Sequence, residues 1–356
     1  MTQFFFFGCW NRDNCGGKDY RKGLFDTLMP IASSFDFGVI AGDNVYPHER
    51  KYYMNTLEYG FQLLEDLKQR TALKTMYATI GNHDVNRVSV LEYQMKSQSI
   101  TMPRNMYMVQ VSAFLRIIFL DTNLFTHKHP ILYKDMKNLP ENVKSFFDVH
   151  NENEVLEELD AILQQSPTYK GWTIVVGHEP IVSIKPKQNN NIAGIKMNSW
   201  IPYERILNKL ASIPKTVYMC ADVHTFQGWN IYTDTGILPM VVAGTGGGDP
   251  DDNLSIGGTY SKDSKKLELI ASEYPYGYCK VNCTSEKLEI TYVPLKNCTI
   301  SNTNVKLQYK NKKLYRSLTS KSNKNITVNM HKCIAPPTEA FQCVFDPLNE
   351  MKGGKR

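Results

Sequence analysis

No stretch of the 356-residue sequence approaches the roughly 20 consecutive apolar residues that cross a bilayer, so no membrane span is expected. No basic residue precedes the apolar run Phe4–Phe7, and the run is too short for a secretory signal core. A short aromatic run ending at Gly8 reads instead as a buried first strand and its turn. Tight Cys-x-x-Cys pairs are also missing, so Cys279, Cys283, Cys298, Cys333 and Cys343 signal a structural zinc site only weakly. Without a signal segment, the eight cysteines are expected as reduced thiols and the protein as cytoplasmic. The sequons at Asn253, Asn282, Asn297 and Asn325 then read as chance matches in an Asn-rich chain. There is no internal repeat. Hydrophobic residues at 42% and charged residues at 21% exclude wholesale disorder, and the length allows one large domain or two modest ones.

Acidic residues are absent from Lys296 to Lys332, which holds nine Lys/Arg, so the net charge of +6 resides there and the rest is mildly acidic. Such a segment could touch nucleic acid, an anionic membrane or an acidic partner, or simply be solvated. No nucleic-acid motif accompanies it.

In the first two thirds, short apolar runs alternate with amphipathic stretches, which points to an α/β architecture. Thr2–Gly8, Phe35–Ala41, Thr75–Ile80, Phe114–Leu120, Trp172–Gly177 and Thr216–Cys220 read as buried strands, and Tyr52–Arg70 and Val155–Gln165 as helices. From about residue 225 the pattern becomes strands and turns: Gly228–Thr233, Leu238–Ala243, Lys266–Ala271, Tyr276–Val281 and Lys287–Val293. Asn123–Asn151 reads as a long polar connection inserted over one face. Past Leu295 the periodicity fades, so a domain at 1–295 is expected, followed by a basic, Cys-containing extension at 296–356.

Four polar clusters follow directly on buried strands, where α/β proteins place ligand-binding loops. They are Gly42-Asp43-Asn44-Val45-Tyr46, Gly81-Asn82-His83-Asp84, Gly177-His178-Glu179-Pro180 and Ala221-Asp222-Val223-His224. In each, a small residue permits a tight turn and oxygen or imidazole donors follow. One such cluster could be a turn, or a hydrogen-bonded core histidine. Four in order, each at a strand end, point to a site.

With these residues the chain resembles the calcineurin-like metallophosphoesterases, and within them the purple acid phosphatases of the tartrate-resistant type, over roughly Thr2 to Val293. Gly42–Tyr46, Gly81–Asp84 and Val175–His178 match three of the family's five ordered blocks in full, and Tyr46 marks the purple-acid-phosphatase branch. Phe119-Leu120-Asp121-Thr122 and the glycine-rich Ala243–Gly248 are further family-like signs. The resemblance implies a four-layer αββα sandwich of two mixed β-sheets flanked by helices. It implies two metal ions (Fe, Zn or Mn), with Asp43 bridging, Tyr46 and His224 completing the first site, and Asn82 and His178 serving the second. It also implies hydrolysis of phosphomonoesters, from a phosphorylated small molecule or a phosphoprotein, by attack of a metal-bridging hydroxide. Asn82 and His83 would face the phosphate, with His83 assisting the leaving group and Asp84 either orienting its imidazole or serving structure. Two cations about 3.5–4 Å apart need an anionic bridge and can clamp both oxygens of an in-line displacement.

Two blocks depart from the pattern. Cys9 stands where the family has a carboxylate ligand, and Asp222 where it has a histidine. A thiolate can bind Zn or Fe, and a carboxylate at 222 moves preference toward harder ions such as Mn or Mg. Added anionic charge makes bound water less acidic and repels phosphate. Cys9 could equally be an inert buried thiol and Asp222 a turn carboxylate. Asn11, His48, His127 and His129 are weaker candidates. The alternatives to an active phosphoesterase are a catalytically weak or inactive relative that binds a phosphorylated ligand or a protein partner, and a nucleic-acid factor acting through 296–332.

Overall fold

The protein is described by a computed structural model, covering residues 1–12, 20–46, 53–125, 131–134, 136–165, 168–185, 194–197, 201–248, 258–262, 265–273, 276–295 and 305–317. All of these fall in one compact unit, Met1–Thr319. His48, His127, His129, Cys298, Cys333 and Cys343 lie outside the described residues.

The chain runs β1 (Thr2–Phe7), α1 (Tyr20–Leu28), β2 (Phe37–Ala41), α2 (Tyr53–Arg70), β3 (Met76–Thr79), α3 (Val88–Lys96), β4 (Tyr107–Ser112) and β5 (Leu115–Phe119). Next come α4 (Ile131–Lys134), α5 (Glu141–Lys144), α6 (Glu152–Gln164), β6 (Trp172–Val176), β7 (Val182–Lys185), β8 (Gly194–Met197), α7 (Ile201–Ser212) and β9 (Thr216–Cys220). The rest is β10 (Phe226–Thr233), β11 (Gly236–Ala243), β12 (Gly258–Lys262), β13 (Lys265–Glu273), β14 (Gly277–Cys283), β15 (Leu288–Pro294), β16 (Val305–Lys310) and β17 (Lys313–Ser317).

A seven-stranded sheet has the order β17-β16-β15-β14-β1-β2-β3, and an eight-stranded sheet the order β12-β13-β10-β11-β9-β6-β5-β4. Both are mixed. β1, β2 and β3 run parallel, as do β5, β6, β9 and β11, whereas β14 pairs antiparallel with β1 and β10 with β11. The unbroken apolar run of β1 follows from burial on both faces, since Phe4, Phe5, Phe6 and Phe7 are all fully buried. Phe7 meets Phe25 of α1 edge to face, while Phe4 stacks on Phe37 of β2. On the far side, Val155, Leu159 and Ile162 of α6 and Leu207 and Leu210 of α7 share one core cluster with Ile118, Val175, Tyr218 and Met240 of the eight-stranded sheet. The result is the four-layer αββα sandwich of a metallophosphoesterase fold.

Two expectations need correction. Residues 305–317 are not an appendage: β16 pairs antiparallel with β15, and β17 with β16. Val305, Leu307 and Leu314 are buried, and a Cβ on Gly228 of β10 would come within 2.8 Å of Leu307. Asn230 of β10 receives the Leu314 N–H on its Oδ1 at 2.8 Å and donates Nδ2 to the Leu314 carbonyl at 3.1 Å. That side-chain amide does a strand's work between the sheets, so the domain extends past Leu295 to at least Ser317. The hairpin's apolar residues are too few and too interspersed with lysine to announce it by periodicity. Second, Asn123–Asn151 is not a plain polar connection, because Leu132, Leu139, Val143, Phe146 and Phe147 sink into the core beside α4 and α5. α6 also begins three residues early, at Glu152, where Asn151 caps the helix by accepting from the N–H groups of Asn153 and Glu154. No described helix is long and apolar enough to cross a membrane.

Candidate metal centre

The parallel strands of both sheets deliver their carboxyl ends to one place. Cys9 follows β1, Asp43 and Tyr46 follow β2, Asn82 and His83 follow β3, His178 follows β6, and Asp222 and His224 follow β9. Cys9, Asp43 and Asp222 all adopt left-handed backbone, with φ of 52°, 54° and 55°. For non-glycine residues this conformation is uncommon, and it also occurs at Lys215, Asn311 and Lys312 away from the site, so here it shows only how tightly these three turns are bent. Gly42 precedes Asp43 at φ 78°, and a Cβ there would lie 2.9 Å from His178 Nδ1. A Cβ on Gly81 would sit 2.2 Å from Asp43 Oδ1. Only glycine at positions 42 and 81 lets the Gly42–Tyr46 and Gly81–Asp84 turns close on each other.

The donor atoms converge on Asp43. Its Oδ2 accepts from the Tyr46 hydroxyl on one side and lies 3.2 Å from His178 Nε2 on the other. Its Oδ1 accepts the His83 backbone N–H at 3.0 Å. His178 is fully buried; its Nδ1 is 2.7 Å from the Ala41 carbonyl, a pairing that makes Nδ1 the donor and leaves Nε2 to face the oxygens. Nε2 also lies 3.2 Å from Asn82 Oδ1 and 3.9 Å from Asp222 Oδ1. Tyr46 Oη is 3.3 Å from His224 Nε2. Ligand atoms of Cys9, Asp43 and His178 lie within 4.8 Å of one another. The glycine-rich turn after β11 fixes the Cys9 backbone: Gly246 and Gly248 donate to the carbonyls of Gly8 and Cys9 at 3.0 and 2.7 Å.

The electrostatics follow from this crowding. Burial pushes the Cys9 thiol far up, and the charges of Asp43 and Asp222 add to it, against hydrogen bonds from Tyr46 and the Asp222 N–H. Burial likewise lifts the Tyr46 phenol, reinforced by Asp43 and then Cys9. For Asp43, burial is opposed and outweighed by His178 and His83, which hold the carboxyl well below its usual range. Burial favours neutral His178, but Asp43 and Asp222 overrule it and raise the imidazole to about 10. The buried thiol, phenol and carboxylate of Cys9, Tyr46 and Asp43, with the half-buried Asp222 carboxylate and Asn82 amide oxygen and the Nε2 atoms of two imidazoles, form a donor set suited to cations. The residues therefore fit the metal ions that the fold implies.

Other site residues divide sharply. His83 packs its ring against Tyr46 at 4.4 Å between centroids, and its buried Nδ1 has no hydrogen-bond partner. Asp84 does not orient that imidazole. Its carboxylate is fully buried and accepts from Gly81 N at 2.7 Å, Asn44 N at 2.8 Å, and Asn44 Nδ2 and Gln94 Nε2 at 3.2 Å each. Asp84 is thus a staple between the two glycine turns, and burial together with the Asp43 charge lifts it to about 7. Asn11 is likewise occupied, donating Nδ2 to the Asn44 carbonyl at 2.8 Å and accepting from Arg21 at 2.9 Å.

Three supporting residues carry no role in the sequence reading. Asn44 ties Asp84 to Trp10 Nε1, which donates to it at 3.0 Å. Thr122 Oγ1 receives the N–H groups of His178 and Glu179 at 3.2 and 3.1 Å. Gln94 reaches in from α3. Asn44 and Thr122 lie inside the Gly42–Tyr46 and Phe119–Thr122 motifs, so the signal was present; Gln94 has no local signal at all.

Facing sheets that deliver acidic, amide and imidazole donors from both sets of strand ends define a metallophosphoesterase-type centre. The calcineurin-like phosphoesterase family profile matches residues 3–226, more than half of the chain, and the protein belongs to that family. Among solved structures, GAP50, described as the anchor in the inner membrane complex of Plasmodium, aligns with a TM-score of 0.51 at 16% identity over 90% of each chain. PhoD aligns with a TM-score of 0.54 at 13% identity, over 90% of this chain and 72% of its own. The purple acid phosphatase PPD1 from seeds of yellow lupin (Lupinus luteus) gives 0.49 at 13%, over 85% of this chain and 52% of its own. At these identities the likeness is one of fold. No curated protein sequence matches.

Proposed function

We propose that the protein is a metal-dependent phosphoesterase, acting like an acid phosphatase on phosphomonoesters of a small molecule or phosphoprotein. The observation that carries this reading is Asp43 Oδ2, a single oxygen flanked by Tyr46 on one side and His178 on the other. When bound, two cations would supply electrophilic pull on the phosphate and a more acidic water. The chain's own residues do the rest. Asn82 and His83 face the phosphate, and the unpartnered Nδ1 marks His83 as a group with a proton site to spare for the leaving oxygen. Asp84 and Thr122 hold the turns that carry Asp43 and His178. A cytoplasmic location fits the described cysteines, Cys9, Cys220, Cys279 and Cys283, which are free thiols.

A second reading is favoured by Cys9 and Asp222: the same pocket binds a phosphorylated ligand or protein without turnover. A related fold is described as an anchor in GAP50. Of the nine basic residues of 296–332, Lys306 pairs with Glu289 and Lys313 lies over the Tyr232 ring, both within the domain.

Metal-stripped protein resupplied with Mn, Zn or Fe should turn over an aryl phosphate, and His83→Ala should lower kcat by about 10²–10⁴-fold. Turnover by no metal-loaded form, with metal bound, would leave the binding reading; equal rates for His83→Ala and the parent would remove the assigned acid.

A further inference from the structure

β7 and β8 form a two-stranded sheet that belongs to neither large sheet. Among the described residues, no backbone hydrogen bond joins this arm to another strand. The arm begins at Val182, four residues past His178. Apolar burial holds it down, since Ile181, Val182 and Ile184 share a core cluster with Ile206 and Leu207 of α7. That attraction is non-directional and fixes no register.

Direction comes from one buried side chain, Gln227 of β10, three residues past His224. In a two-stranded ladder, alternate residues turn their N–H and C=O away from the partner strand. At Ile184 both meet the Gln227 amide: Oε1 accepts the N–H at 3.1 Å, and Nε2 donates to the carbonyl at 2.8 Å. The same Oε1 accepts from Trp229 Nε1 at 3.0 Å, and Nε2 also donates to Thr225 Oγ1 at 2.9 Å. Every hydrogen-bonding position of the amide is thus used. Thr225 directly follows His224, and Ile184 lies on the segment that leaves His178. The start of that segment is fixed too, because Thr122 Oγ1 accepts the Glu179 N–H and the Tyr218 hydroxyl donates to the Glu179 carbonyl at 2.7 Å. One amide therefore closes a path between the two histidine turns.

Resting on the phosphoesterase reading, we propose that Gln227 is a positioning residue for the metal centre. Acting through Thr225 and the β7–β8 arm, it locks the turn that carries His178 to the turn that carries His224. The two imidazoles are then held in place before an ion arrives. Groups that orient ligands in this way typically change metal affinity by about 10–100-fold when removed.

A second buried amide on the same strand supplies the comparator. Asn230 also ties down a backbone from another element, but its partner Leu314 belongs to a hairpin that carries no candidate ligand. Gln227→Met and Asn230→Leu keep side-chain size and remove the hydrogen bonds. Urea unfolding and Zn²⁺ and Mn²⁺ affinities, by competition with a chelating dye, are measured on the full chains. Both variants should lose stability. Only Gln227→Met should bind the metals more weakly, by about tenfold or more, with faster hydrogen exchange at the Ile184 amide. Should Gln227→Met fail to fold, Gln227→Glu serves instead: it keeps the acceptor for Ile184 and Trp229, loses both donations, and should still weaken metal binding. Parental affinity in the Gln227 variant, an equal loss in Asn230→Leu, or an unprotected Ile184 amide in the parent would overturn the inference even if phosphate esters are hydrolysed. Selective loss of affinity in a chain that hydrolyses no ester leaves the inference standing and removes the catalytic reading. Failure of the parent to bind any metal removes both.

Discussion

Replacing Asp84 by alanine separates a structural carboxylate from a catalytic one. Four donors converge on it, two of them the backbone N–H groups of Gly81 and Asn44 at 2.7 and 2.8 Å. Each N–H left buried without an acceptor costs about 1–3 kcal/mol. Against this, the Asp43 repulsion that helps lift Asp84 is relieved. A net loss of about 3 kcal/mol follows, or about 6 °C in the unfolding temperature at roughly 2 °C per kcal/mol for a domain of this size. Urea or thermal unfolding of Asp84→Ala beside the parent chain measures it directly. Asp84→Asn should fall between them, since one oxygen still accepts while the new amide meets the donors head on. Turnover should drop because Asp43 loosens, but the pH profile should keep its shape. Parental stability in Asp84→Ala, together with a displaced limb of the pH–rate profile, would refute the staple and restore Asp84 as the orienter of His83.

Gly81→Ala places a methyl 2.2 Å from Asp43 Oδ1, so metal affinity, measured by competition with a chelating dye, should fall more than tenfold while the circular dichroism spectrum is retained. Leu307→Ala should cost about 2–5 kcal/mol in urea unfolding, and truncation after Leu295 should yield an unstable chain, whereas truncation after Thr319 should not. Glu289 supplies a pH signature. Burial would raise its carboxyl, but hydrogen bonds from Lys287, Lys306 and Gln308 and the Lys306 charge outweigh that and bring it down to about 2. A depressed carboxylate contributes stability above about pH 4.5 and loses it as pH falls from 4.5 toward 2. Discounted for the exposed lysine ends, that contribution is about 2 kcal/mol. Glu289→Gln should be less stable than the parent at pH 7 by that amount and converge with it near pH 2.

Much of the site was legible before any coordinates. Strand, small residue (glycine three times, Ala221 once) and ligand recur four times in order, and the structure brings Cys9, Asp43, Tyr46, Asn82, His178, Asp222 and His224 to one place. That legibility has a physical origin: a parallel strand buried on both faces must be continuously apolar, and the turn that follows must be glycine where two backbones meet. Asp84 was not legible, because adjacency to His83 in sequence says nothing about which donors a buried carboxylate will satisfy. Gln94 and Asn230 were invisible for the same reason, since their partners lie on other elements.

The sequence by itself therefore determined the family, the α/β class and the identities of the donors, because these depend on residue type and short-range spacing. Only the tertiary structure decided that residues 305–317 complete a sheet and that Asp84 staples and does not orient. Those outcomes turn on which distant backbones a side chain meets once the two sheets face each other, and no local pattern encodes that meeting.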